Sequence, residues 1–128
     1  MKDRNFPCFL TRYFEYAKDG FCPDPFHYWV GVSVVAGALE RKVWLKQTAK
    51  QTYYPNLYIL LVSLPGMGKS SAANIGVKML NDLKTVHMLP TQVTEAKMIE
   101  LFQVRRKFTL GGKEHAHSSQ YYYASEAS

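Results

Sequence analysis

The segment from Asn56 to Leu80, NLYILLVSLPGMGKSSAANIGVKML, constrains the fold of this chain more than any other. Leu57 to Val62 is an unbroken apolar run rich in strand-forming residues, and it ends in a turn holding Pro65, Gly66 and Gly68. Such a run reads as a strand buried on both faces, followed by a break. From Lys69 the period changes: Ala72, Ile75, Gly76, Met79, Leu80 and Leu83 fall on one side of a helical wheel, with Asn74, Lys78, Asn81 and Lys84 on or near the other. The spacing predicts a helix that starts at the loop.

Strand, glycine turn and helix in that order make an anion site, because unpaired N–H groups at the helix start converge on the loop and the helix dipole favours negative charge there. Gly66 and Gly68 let the backbone approach a phosphate, Lys69 can reach the terminal phosphates, and Ser70 offers a hydroxyl to Mg2+. Pro65, Met67 and Ser71 complete the stretch expected to contact ATP. The usual spacing G-x-x-x-x-G-K-[ST] carries Ser63 at its first glycine, giving S-L-P-G-M-G-K-S. That position lies at the strand end rather than among the N–H groups around the phosphates, so a small residue can serve. The competing reading is a plain glycine-rich turn between strand and helix.

Upstream, Phe9 to Lys18 reads as a short helix ended by Gly20, and a second starts at Asp24-Pro25 and runs to about Leu39. The body of the second helix, VGVSVVAGAL, is apolar nearly all round and rich in small residues, which marks it as buried with close neighbours. Lys42 to Lys46 alternates polar and apolar residues, with Gln51 to Tyr54 as its partner in a basic edge hairpin. Downstream, Val86 to Leu89 reads as a short strand, and a helix follows with Thr91 or Thr94 as cap and Met98, Leu101 and Phe102 on one face. Phe108 to Leu110 leads into a Gly111-Gly112 turn and a polar loop through Ser119. These elements divide the chain into an N-terminal helical segment with a hairpin, residues 1–55, and a P-loop portion, residues 56–128.

A P-loop ATPase needs a second buried strand whose end carries acids facing the magnesium and the attacking water. Tyr121 to Ala124 can be that strand, and Glu126 sits where a catalytic, water-polarising carboxylate would act beside Lys69. Ser125 stands where the metal-side aspartate of such motifs is usual. The competing reading is a terminal apolar strand with an incidental glutamate. The expected fold class is α/β: a P-loop NTPase core of RecA or AAA+ type in three layers, preceded by two helices and a basic β-hairpin. After the loop strand only two parallel candidates remain, so the core reads as truncated.

The stretches FHYWVGVSVVAGALERKVWL and YPNLYILLVSLPGMGKSS, the helix after Pro90-Thr91, and the closing YYYASE together resemble the N-terminal half of a family of P-loop ATPases from phage, prophage and plasmid replication modules. Many of these accompany primase-like domains and are helicase-like. The resemblance runs in order over residues 9–127, and the P-loop is its specific part. It implies an ATP-binding module of a DNA-replication ATPase, with ATP and Mg2+ as cofactors, Lys69 and Ser70 on the nucleotide and Glu126 in hydrolysis. A full-length form is expected to hydrolyse ATP and to form homo-oligomers, whereas this chain, short of the strands and the arginine such a core needs, is expected to be inactive alone. A nucleotide or small-molecule kinase is the alternative, since P-G-x-G-K also opens such enzymes, although no arginine-bearing lid or acceptor pocket is evident. A truncated, non-catalytic interaction fragment is the third reading.

At 128 residues, nearly half of them apolar, the chain suits one domain with a real core. Its longest apolar run, Tyr28 to Leu39, is too short to span a bilayer, so no membrane partner is expected and the reading is soluble and cytoplasmic. Cys8 and Cys22, without C-x-x-C spacing, indicate neither a disulfide framework nor a zinc site. The net charge is +6, and Arg41, Lys42, Lys46 and Lys50, with Arg105 to Lys107 and Lys113, could track the backbone of DNA. Lysines on an edge strand equally protect against aggregation. His115-Ala116-His117 invites a metal reading, against which a solvated loop is favoured because no further ligand follows at fixed spacing. Trp29 and Trp44 could stack bases, but packing is the commoner use.

Overall fold

Residues 8–124 are described by the computed structural model of the chain. Four helices, α1 (Phe9–Ala17), α2 (Asp24–Leu39), α3 (Lys69–Leu83) and α4 (Glu95–Gln103), are joined by two antiparallel hairpins, β1 (Leu45–Thr48) with β2 (Gln51–Tyr53) and β3 (Arg106–Leu110) with β4 (Lys113–His117). The result is a small mixed α/β protein.

α2 is the centre of the core, packing against both α1 and α3. Tyr13 and Ala17 from α1, Val30 and Val34 from α2, and Ala72 and Leu80 from α3 form the buried cluster, extended by Cys22 and Val86. The helix start lies one residue earlier than Asp24-Pro25 suggests: Pro23 is the N-cap, and Asp24 sits in the first turn, where its charge complements the helix dipole. α3 approaches α2 closely at Gly76, where a Cβ would come within 2.6 Å of Val30 Cγ1 and 3.0 Å of Val34 Cγ2. At α4, the Thr94 side chain accepts from the Lys97 N–H at 3.4 Å, so of the two expected caps Thr94 is the one in place.

The expected three-layer parallel P-loop core is not what the chain forms. Every ladder strand among the described residues belongs to one of the two antiparallel hairpins. Leu57 to Val62 has no ladder partner, and Leu57, Tyr58, Leu60 and Val62 are exposed. Only its inward residue Leu61 packs against the core. A strand buried on both faces needs paired neighbours and helices over both sides; here the helices cover one side and no strand lies alongside. The two other parallel candidates do meet, in a single parallel bridge between Met88 and Tyr121. The Leu89 N–H donates to the Tyr121 carbonyl at 2.8 Å, and the Tyr121 N–H to that of His87 at 2.9 Å. One bridge is not a sheet.

Both hairpins differ from expectation. The first is displaced toward the C-terminus, pairing Leu45 with Tyr53 and Lys46 with Thr52, with an irregularity before Thr48. Its register is set by the turn rather than by the alternation at Lys42 to Lys46. The second replaces the polar loop after Gly112: Lys113 to His117 returns along β3, turned by Gly111 and Gly112, which both adopt left-handed φ.

Candidate functional site

The loop between the Leu57–Val62 segment and α3 is shaped by two glycines and leads into a helix start without a side-chain cap. Gly66 and Gly68 adopt φ +83° and +75°, a region that side chains rarely tolerate. Gly68 is also the N-cap of α3, and no side chain caps that end. The first N–H groups of a helix have no partner within it, so those following Gly68 face the loop. Lys69 reaches back across the loop, and its Nζ donates to the Ser63 carbonyl at 2.8 Å. The ammonium is thereby held against the first residue of the loop.

Ser63 answers the question its position raises. Its φ is not among the positive values, so a glycine is not needed there. Its Oγ donates to the Leu64 carbonyl at 3.1 Å while its own carbonyl holds Lys69.

Lys69 and Ser70 open onto a cavity of about 560 Å3 whose walls include Leu57 to Leu61 and Gln120 to Ala124. Of the expected site residues, Lys69 and Ser70 share this cavity with the Tyr121 segment, and Pro65, Gly66, Met67, Gly68 and Ser71 do not line it. Pro65, Met67, Ser70 and Ser71 are exposed. Glu126, with Ser125, lies outside the described residues. Ser70 supplies a hard hydroxyl oxygen of the kind Mg2+ accepts alongside phosphate oxygens and water. Among the described residues no group of three or more histidine, cysteine, aspartate or glutamate side chains could hold a metal ion.

Much of the expected basic surface is engaged within the molecule. Lys42 pairs with Glu40 at 3.2 Å and Lys107 with Glu114 at 2.6 Å. Arg41 lies 4.5 Å from the Tyr54 ring centroid, and Arg106 donates to the Ser119 carbonyl at 2.9 Å. Lys46 and Lys50 stand exposed on the first hairpin. Trp44 lies against His115, which stacks on Phe108, and Trp29 meets Tyr28 edge to face. Both tryptophans thus pack against aromatic neighbours.

A buried cluster that sequence reading missed centres on Glu40, the C-cap of α2. It adopts φ 48° and ψ −124°, and its side chain is 5% exposed. His117 Nε2 lies 3.7 Å from Glu40 Oε2, and His87 Nδ1 lies 3.9 Å from Oε1. His117 is not in a solvated loop but at the inner end of β4, 8% exposed. Its Nδ1 accepts from the Ser119 N–H at 3.2 Å, which leaves the proton of the neutral ring on Nε2, facing Glu40. Burial lowers the His117 pKa below the ordinary 6.5; Glu40 opposes this, while Arg106, Lys42 and His87 add to it. A depressed folded-state pKa means that the unfolded chain takes up the proton first. His117 therefore contributes stability that is present above pH 6.5 and lost as pH falls through its depressed value. Melting temperature is expected to drop on acidification from pH 6.5 down to that depressed value, and His117→Gln should flatten that part of the profile. An unchanged profile in the variant would assign the acid sensitivity to other groups.

No helix among the described residues is long and apolar enough to cross a membrane. The chain matches no protein-family model, no curated protein and no solved structure.

Proposed function

We propose that the loop from Ser63 to Ser71 binds the phosphates of a magnesium nucleotide, ATP by the motif. The observation that carries this reading is the Lys69 ammonium held across the loop at the Ser63 carbonyl, with Gly66 and Gly68 both left-handed at the uncapped start of α3. In the bound state the phosphate oxygens replace that carbonyl as acceptors for Nζ. Backbone N–H groups at the start of α3 would take the remaining oxygens, and Ser70 Oγ would hold the metal. Magnesium, when bound, would supply neutralisation of the phosphate charge.

The residue resemblance extends the proposal to the nucleotide-binding part of a DNA-replication ATPase of phage or plasmid type. The proposal does not depend on a three-layer core, because the phosphate contacts come from one loop and one helix end.

Calorimetric titration of the protein with Mg-ATP tests it. Saturable binding is expected for the native chain. Lys69→Ala should weaken it by about 10-fold or more, the scale of one charge-assisted hydrogen bond. Equal affinities for the two proteins would remove the assignment.

A further inference from the structure

The cavity onto which Lys69 and Ser70 open has a volume of about 560 Å3, within the usual range of small-molecule sites. Its wall is rich in tyrosine: Tyr58 on one segment, Tyr121, Tyr122 and Tyr123 on the other. These rings are not equally free. The Tyr121 hydroxyl meets Ser33 Oγ at 3.0 Å, and Ser33 Oγ donates to the Val30 carbonyl at 2.7 Å. Tyr122 is 43% exposed, whereas Tyr58 is 91% exposed. Gln120, a polar member of the same wall, donates from Nε2 to the Leu101 carbonyl. Ser33, Gln120 and Tyr121 thus spend polar groups within the molecule, while the Tyr58 ring forgoes nearly all the benefit of burial at the edge of a cavity.

We propose that this cavity takes the nucleoside of the nucleotide whose phosphates lie at the start of α3, with the Tyr58 ring as the surface on which the base stacks. The inference rests on the phosphate reading above and deepens it, because it says what part of the ligand besides phosphate the protein recognises. Lys69 and Ser70 belong to both places, since they open α3 and also line the cavity. A ligand held by its phosphates at the helix start therefore has the cavity beside it. Tyr58 precedes Ser63, whose carbonyl meets the Lys69 ammonium, by only five residues. Chain of that length spans at most about 18 Å. A ring face reads no hydrogen-bonding edge. The site therefore takes nucleoside triphosphates as a class and discriminates weakly between ATP and GTP.

A single exposed tyrosine is common on protein surfaces and by itself needs no ligand. What sets Tyr58 apart is its place in the same cavity wall as Lys69 and Ser70. Tyr16 is also an exposed tyrosine, on α1 and outside that wall, and serves as the comparison.

The test is titration of the native chain, Tyr58→Ala, Tyr58→Phe and Tyr16→Ala with two ligands, Mg-ATP and Mg-tripolyphosphate, the second having phosphates but no base. Tyr58→Ala is expected to weaken Mg-ATP by about 5-fold or more, the lower end of measured base–aromatic stacking. It should leave tripolyphosphate within about 2-fold of the native value, since phosphate contacts are untouched. Tyr58→Phe, which keeps the ring and loses the hydroxyl, should bind ATP as the native chain does, and so should Tyr16→Ala. Unchanged ATP affinity in Tyr58→Ala, with tripolyphosphate still bound, overturns the stacking role alone. Loss of ATP affinity in Tyr58→Phe to the extent seen in Tyr58→Ala also overturns it, assigning the contact to the hydroxyl. Equal weakening of both ligands by Tyr58→Ala overturns it too, assigning Tyr58 to the shape of the loop. Failure of the native chain to bind either ligand overturns the phosphate site and this inference with it.

Discussion

Replacing Gly76 by valine is expected to lower the melting temperature by about 5–15 °C, and replacing it by alanine should lower it less but in the same direction. The sign is the informative part. In an exposed helix interior, glycine to alanine stabilises by about 1 kcal/mol through helix propensity. At Gly76 the added Cβ would sit 2.6 Å from Val30 Cγ1 and 3.0 Å from Val34 Cγ2. Both neighbours are β-branched and confined at χ1, so they cannot swing aside. α3 must instead move off α2, opening the interface that buries Ala72 and Leu80. Overpacking of this kind costs about 1–3 kcal/mol, which exceeds the propensity gain. Thermal unfolding followed by circular dichroism decides the matter. A Gly76→Ala variant more stable than the native chain would show that α2 and α3 do not meet as closely as described.

The second large effect is expected at the loop, where Gly68→Val should weaken Mg-ATP binding by about 10-fold or more. Gly68 has φ +75°, and a β-branched residue there is a strong outlier. The new Cβ would also press on Cys22 at 3.3 Å. The chain relieves both strains by rotating the Gly68 backbone, which turns the first N–H groups of α3 away from the loop. Gly66→Ala separates the two causes. Gly66 has φ +83°, yet a Cβ there meets nothing within 4 Å, so only the conformational part remains. Titration of the three proteins should rank them native, Gly66→Ala, Gly68→Val. Native affinity in Gly68→Val would mean that the loop binds its ligand in another conformation.

The helices were legible in the residues. α3 begins at Lys69 and ends at Leu83, as the change of period and the glycine before it require, and α2 ends at Leu39. The Thr94 cap places α4. The glycine turn before α3 was legible for the same reason, since its shape depends on the φ of two glycines and on one lysine six residues from the carbonyl it meets. The strands were not. Leu57 to Val62 has the composition of a buried strand, and composition states only that such a segment gains from burial, not that a neighbour is available. The hairpin from Arg106 to His117 was half hidden because Lys113 to His117 has few strand-forming residues. It pairs because Gly111 and Gly112 turn the chain back on β3.

By itself, then, the sequence determined what is decided within a few residues of chain: the bounds of the helices, the left-handed glycines and the lysine-serine pair at the start of α3. Only the tertiary structure decided what depends on distant segments meeting. It left Leu57 to Val62 without a ladder, joined Met88 to Tyr121, buried His117 beside Glu40, and set Cys22 beneath Gly68 with Phe21 in solvent. The physical reason is one of range. Helix hydrogen bonds and turn dihedrals close over four residues or fewer, so local residue types dictate them. Strand pairing and the burial of a single side chain require partners remote in sequence, and periodicity carries no record of which remote segment will arrive.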